Sequence, residues 1–192
     1  MNRFRNIGML LAVLATALTA SLAGADVRGD DRPRLAGAEK CKNASTPVHR
    51  LSKGAVRSTV MCLVNAERRR HARNPLSRSK ALQRASQHHA NKMAATNCLS
   101  HQCPGEGSLA SRIRRFGYTR GANSWKFAEN TGCGLSAEAM VMNWMASRYH
   151  RINIVDPRFK DIGVGYTDAR VEGRCKRSYG TFAVVFAVRK PD

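Results

Sequence analysis

The sequence predicts one α+β domain. Apolar residues recur at helical spacing in four places, two late runs read as strands, and the two kinds of segment do not alternate as regular βαβ units. The chain of 192 residues is too short for two full-size domains, and at 43% hydrophobic it is too apolar to be disordered throughout. No internal repeat or low-complexity run breaks it up, so a single domain over residues 55–189 fits the length.

The first segment bears on compartment. Arg3 and Arg5 precede an uncharged run over residues 7–20, and small residues follow up to Ala25. A basic start, a short apolar run and an A-x-A-like end describe a secretory signal peptide over residues 1–25. A membrane anchor would need about 20 apolar residues. No later stretch is long or apolar enough to span. Cleavage after Ala25 would remove two arginines and no acid, so the formal charge falls from +20 to +18 and belongs to the exported protein. Secretion, to the extracellular space or the cell envelope, is therefore expected. Export argues against a DNA-regulatory role, and 6% aromatic residues are too few to interleave with the arginines as stacking platforms. The polyanions left as partners are acidic glycans, phosphate-bearing wall polymers and anionic lipid surfaces.

Residues 26–54 are polar and broken by Gly29, Pro33, Gly37 and Pro47, which reads as a flexible leader. Val56, Val60, Leu63, Val64 and Glu67 then mark a helix over residues 55–71, stopped by Asn74-Pro75. Ser79 suits the N-cap of a second helix with Leu82, Ala85, Ser86, His89 and Met93 on its inner face. A loop carries Cys98 to Gly107. Ser108 caps a short third helix with Leu109, Ile113 and Phe116 on one side, and Gly117 stops it. Residues 125–130 read as a short strand. Ser136 caps a fourth helix with Glu138 in its first turn and Met140, Val141, Trp144 and Met145 as its buried stripe. Residues 162–166 and 181–188 are strand-like.

Cys41, Cys62, Cys98, Cys103, Cys133 and Cys175 all follow the expected cut. An even number in an exported chain favours disulfides over zinc–thiolate sites, and six cysteines permit fifteen pairings. The five-residue spacing of Cys98 and Cys103 suits a local clamp. Of the three pairings left for the other four, Cys41–Cys62 and Cys133–Cys175 are preferred. The first ties the leader to the first helix; the second joins two distant loops.

Several stretches, taken in order, resemble the CAP superfamily (SCP-like, cysteine-rich secretory protein, antigen 5 and pathogenesis-related-1), and its bacterial exported branch most closely. They are Cys62-Leu-Val-Asn-Ala-Glu-Arg68, Asn74-Pro-Leu76, Ala85-x-x-x-His89-x-x-x-Met93, Leu99-Ser-His101, Ala128-Glu-Asn130, Trp144-Met-Ala-Ser147, His150-Arg-Ile-Asn-Ile154 and Phe159-Lys-Asp-Ile-Gly-Val-Gly-Tyr166. The resemblance implies a three-layer α-β-α sandwich around a central antiparallel sheet. It implies a cleft lined by His101, Glu129 and His150, able to hold a divalent metal such as zinc, with Asn130 and Asn153 orienting the loops. Two imidazoles and a carboxylate are suitable zinc donors. The same set also reads as a hydrogen-bonded network tying loops together.

The chain departs from the family pattern. Ala128 stands for the usual glycine, Arg148-Tyr149 for Pro-Gly, no acid follows Trp144, and residues 181–186 lack histidine and glutamine. At most a three-residue open metal site, His101, His150 and Glu129, is expected. The leading reading is a secreted, monomeric module that binds a small hydrophobic ligand or an envelope or host component. Alternatives are a metal-dependent hydrolase of peptide or wall bonds, with Glu129 as base, and electrostatic adhesion to anionic envelope polymers. No catalytic residue is assigned. His89 reads as a satisfied core residue. Arg68–Arg70, Arg112 with Arg114 and Arg115, and Arg174 with Lys176 and Arg177 read as solvated basic surface.

Overall fold

Ser52 opens the first helix: its hydroxyl accepts the Ala55 amide at 3.2 Å. The helix, α1, runs Lys53–Arg70, and Val56, Val60, Leu63 and Val64 are fully buried at three- and four-residue spacing. The computed structural model describes residues 34–176 and 179–191. The segment read as a signal peptide, residues 1–25, lies outside the described residues, as does Arg177 of the third basic cluster.

Arg68 corrects one expectation. It lies one and two turns beyond Val64 and Val60 on the same helix face, and it is fully buried rather than part of a solvated cluster. Its guanidinium donates to the carbonyls of Asn74 at 2.8 Å, Ile154 at 2.7 Å and Asp156 at 3.0 Å. A rigid fork of five donors satisfies three carbonyls at once, which explains how a buried arginine is tolerated there.

The stretch read as a flexible leader is corrected over residues 34–52. Two short 3₁₀ turns, Ala38–Lys40 and Val48–Arg50, shape it, and Ala38, Cys41, Ala44 and Val48 are buried in the main core. The Glu138 carboxylate accepts the Leu35 amide at 3.1 Å, and the Val48 amide donates to Leu135 at 2.8 Å. Glycine and proline mark its turns, but its small apolar residues fill a gap over α1.

The other elements follow in order: β1 Ser77–Arg78, α2 Lys80–Ala95, α3 Leu109–Arg115, β2 Ala122–Gly134, α4 Ala137–Ala146, α5 Arg148–Val155, β3 Asp161–Thr167 and β4 Gly180–Pro191. Ser79, Ser108 and Ser136 cap α2, α3 and α4 through their hydroxyls. Gly117, at φ 85°, takes the left-handed turn that ends α3. The helix α5 is additional to the elements expected from the sequence; it is eight residues long and buries only Ile154. Strand β2 is also longer than the six residues expected.

The sheet order is β1-β3-β4-β2. Its three long strands are antiparallel, with Glu129 opposite Val185 and Val164 opposite Val184. Only the two-residue β1 is parallel to its neighbour. Alternation along β4 builds the layers. Phe182, Val184 and Phe186 join the core shared with α1, α4 and α5, while Val185 and Ala187 face α2 and α3. A sheet thus lies between two helical layers, the α-β-α arrangement expected from the resemblance. Disulfides join Cys41 to Cys62, Cys98 to Cys103 and Cys133 to Cys175. Among the described residues, no helix is long and apolar enough to cross a membrane.

Candidate functional site

Strand β2 aims Glu129 at the α2/α3 layer, and the loop of residues 98–107 folds over it. The Cys98–Cys103 bond closes that loop across a Cα separation of 5.8 Å, which shortens the chain that carries His101. His101 donates from Nδ1 to Glu129 Oε1 at 3.0 Å. Arg112, in the last turn of α3, donates to Glu129 Oε2 at 2.6 Å. It also donates to the His101 carbonyl at 2.9 Å. One guanidinium thereby positions both the carboxylate and the histidine-bearing loop.

A second carboxylate lies beneath. Glu106 accepts from His89 Nδ1 at 2.7 Å, and Arg112 approaches it at 3.6 Å. His89 Nε2 meets the Ser100 carbonyl at 2.9 Å and stands 3.6 Å from Glu129. Side chains of His89, Glu106, Glu129 and Arg112 are all at most 3% exposed, whereas that of His101 is 60% exposed. The result is a buried ionic floor with one imidazole standing on it in the solvent.

The opposite face of β2 holds α5. Asn130 donates to the His150 carbonyl at 3.1 Å, and Asn153 donates to Asn130 Oδ1 at 2.9 Å and to the Glu129 carbonyl at 3.4 Å. The two asparagines fix the start of α5, and with it His150, against the strand. The two histidines titrate in opposite directions. The hydrogen bond to Glu129 raises the His101 pKa above its ordinary value, against the pull of burial. Burial lowers that of His150, and the charge on His101 lowers it further.

The sequence-derived site residues are therefore brought near one another, but the metal set is not. Among the described residues, no three of His, Cys, Asp and Glu are grouped to hold a metal ion. Both oxygens of Glu129 are committed, one to Arg112 and one to His101, and an adjacent buried guanidinium repels a second cation. As placed here, His101, His150 and Glu129 do not fit a three-ligand centre.

Sequence reasoning also placed Arg112 on the surface and did not single out Glu106. A signal for Arg112 existed: it is three residues after Leu109 and four before Phe116, in phase with the apolar side of α3. Glu106 carried none, since its burial depends on the fold of the loop over α2.

An NMR titration of the imidazole protons is expected to give His101 a midpoint above the ordinary histidine value and His150 one below it. The sign for stability follows. The His101 contribution is complete below the unfolded pKa and is lost as pH rises through the folded one. The His150 contribution runs the other way and is lost as pH falls. Coincident midpoints would contradict the Glu129–His101 bond.

Residues 62–186 match the profile of the cysteine-rich secretory protein (CAP) family. The chain is 35% identical over 120 residues to the uncharacterized protein YkwD of Bacillus subtilis (strain 168), covering 62% of this chain and 45% of that one. It thus spans under half the length of that curated relative. Among solved structures, it is similar to an SCP-domain extracellular protein of Bacillus anthracis str. Ames at TM-score 0.56 and 23% identity, covering 73% of this chain and 44% of that one. It is similar also to an outer surface protein of Borrelia burgdorferi at TM-score 0.56 and 18% identity, covering 68% of this chain and 90% of that one. At these identities the two structures speak for the fold. The family match takes in the loop, strand and helices that carry His101, Glu129 and His150, and it extends over well more than half of the chain: this protein belongs to the cysteine-rich secretory protein (CAP) family.

Proposed function

We propose that the protein is an exported binding module whose cleft, bounded by His101, Glu129 and His150, holds a small amphiphilic ligand or a partner's polar group without turning it over. One observation carries this reading. Glu129 is the carboxylate best placed to serve as a general base, and both its oxygens are already engaged. A base must have an oxygen available to the proton it abstracts. What remains for a ligand is the outward nitrogen of His101, the neighbouring His150, and the exposed apolar side chains Tyr149 and Ile152 on α5. Polar groups at the base of a cleft with an apolar rim suit a ligand that has a polar head and an apolar body. The extracellular and outer-surface descriptions of the structural relatives support export.

Zinc content, hydrolysis and lipid binding of the purified chain test the reading together. Expected are substoichiometric zinc, no turnover of a peptide and wall-glycan panel, and displacement of a fluorescent fatty acid that weakens in His101→Ala. Stoichiometric zinc lost in both His101→Ala and His150→Ala, with hydrolysis lost in parallel, would replace the binding module with a metal-dependent hydrolase.

A further inference from the structure

The chain carries a formal charge of +20, and five of its cations line one groove. Where β2 and β4 leave the core, a groove of about 460 Å³ lies across the sheet. Its lining includes Trp125, Lys126, Arg158, Lys160, Arg189 and Lys190, and no carboxylate.

Register explains why the cations converge. Lys126 lies opposite Val188 on β4, and Lys160 immediately precedes β3, its amide bonded to Ala187 at 3.0 Å. Lys126 and Lys160 therefore flank Val188 on one face of the sheet, about two strand spacings, or ~10 Å, apart. Lys190 falls on the same face, two residues further along β4. Arg158 is held at the border by Asp156 at 2.7 Å, and the same carboxylate reaches Lys126 at 3.7 Å. Asp156 thus pairs with two of these four cationic side chains, Arg158 and Lys126, and Lys160 and Lys190 complete the set around Val188.

We propose that this groove binds a chain of an acidic glycan, whose carboxylate or sulfate groups pair with Lys126, Arg158, Lys160 and Lys190 while a sugar ring rests on the floor between them. A concave site with cations on both sides of its floor suits a polymer chain better than a flat lipid surface. Nucleic acid is a poorer match: Trp125 is the one aromatic in the lining, and single strands are held by stacking successive bases. This groove is separate from the His101 cleft, and its occupancy does not depend on how that cleft works.

Titration calorimetry with heparin and polygalacturonate tests the assignment, with single-stranded DNA as the competing class. Lys160→Glu/Lys190→Glu reverses two groove charges. Arg69→Glu/Lys80→Glu makes the same change in net charge at exposed positions outside the groove. The groove pair is expected to weaken glycan binding about tenfold and the control pair about twofold or less. Wild-type binding should also fall steeply with added salt. Equal losses in the two pairs, absence of glycan binding, salt-insensitive binding, or tighter binding of DNA through the same two lysines would each overturn it. Melting temperatures of both pairs close to wild type confirm that the variants fold.

Discussion

Replacing Arg112 by methionine is expected to lower stability by about 3–5 kcal/mol, the cost of leaving buried charge without its partner. The side chain is 3% exposed and lies against Glu129 and Glu106, each with a side chain 1% exposed. Methionine keeps much of the volume and removes the positive charge, so two carboxylates face one another across His89. The expected fall in melting temperature is roughly 10 °C for a domain of this size. Adding Glu129→Gln to Arg112→Met should recover part of the loss, because the amide needs no counter-charge. A second readout is local. The guanidinium opposes protonation of His101, so the His101 midpoint should move further up in the single variant. A loss under about 1 kcal/mol would mean that the pair adds little beyond an apolar substitute, as is known for some buried ion pairs.

Arg112 also shows where sequence reasoning stopped. The caps at Ser79, Ser108 and Ser136 were legible because each acts within three residues of itself. The stripes of α1, α2 and α4 were legible because period alone identifies them. Charge misled. Arg68 and Arg112 lie in runs of basic residues that resemble solvated surface, and each is buried by acceptors far along the chain: Ile154 for one, Glu129 for the other. The side chains that converge on the basic groove, Lys126, Arg158, Lys160 and Lys190, form no run at all and meet only through strand register. The likeness to the CAP family located His101, Glu129 and His150. It did not reveal that Glu129 is fully engaged, because that depends on α3 and on a loop whose glutamate fits no motif.

A larger effect than its size suggests is expected from Gly165→Ala. In β3 the residues alternate: Ile162, Val164 and Tyr166 enter the core under α1, while Gly163 and Gly165 face α2. A Cβ at Gly165 would collide with the Ser86 carbonyl group, and one at Gly163 with the backbone carbonyl carbon of Leu82. These neighbours are helix backbone and cannot escape by changing rotamer, so the whole of α2 would have to lift from the sheet. Three bonds would go with it: Ser86 Oγ to the Gly163 carbonyl at 3.0 Å, and the Gln87 side chain to the Tyr166 carbonyl at 2.8 Å and from its amide at 3.2 Å. The expected cost is at least about 3 kcal/mol, at the upper end for overpacking. The consequence reaches the site, because α2 carries His89 to the Ser100 carbonyl and to Glu106. Gly165→Ala should therefore disturb the His101 loop as well as lower the melting temperature, visible as amide shifts at Ser100 and His101. Gly173→Ala is the comparison: it has no atom within 4 Å of its added Cβ, and only its φ of 70° opposes the change. If both variants melt within a degree or two of each other, close seating of α2 on the glycine face is not what orders the site.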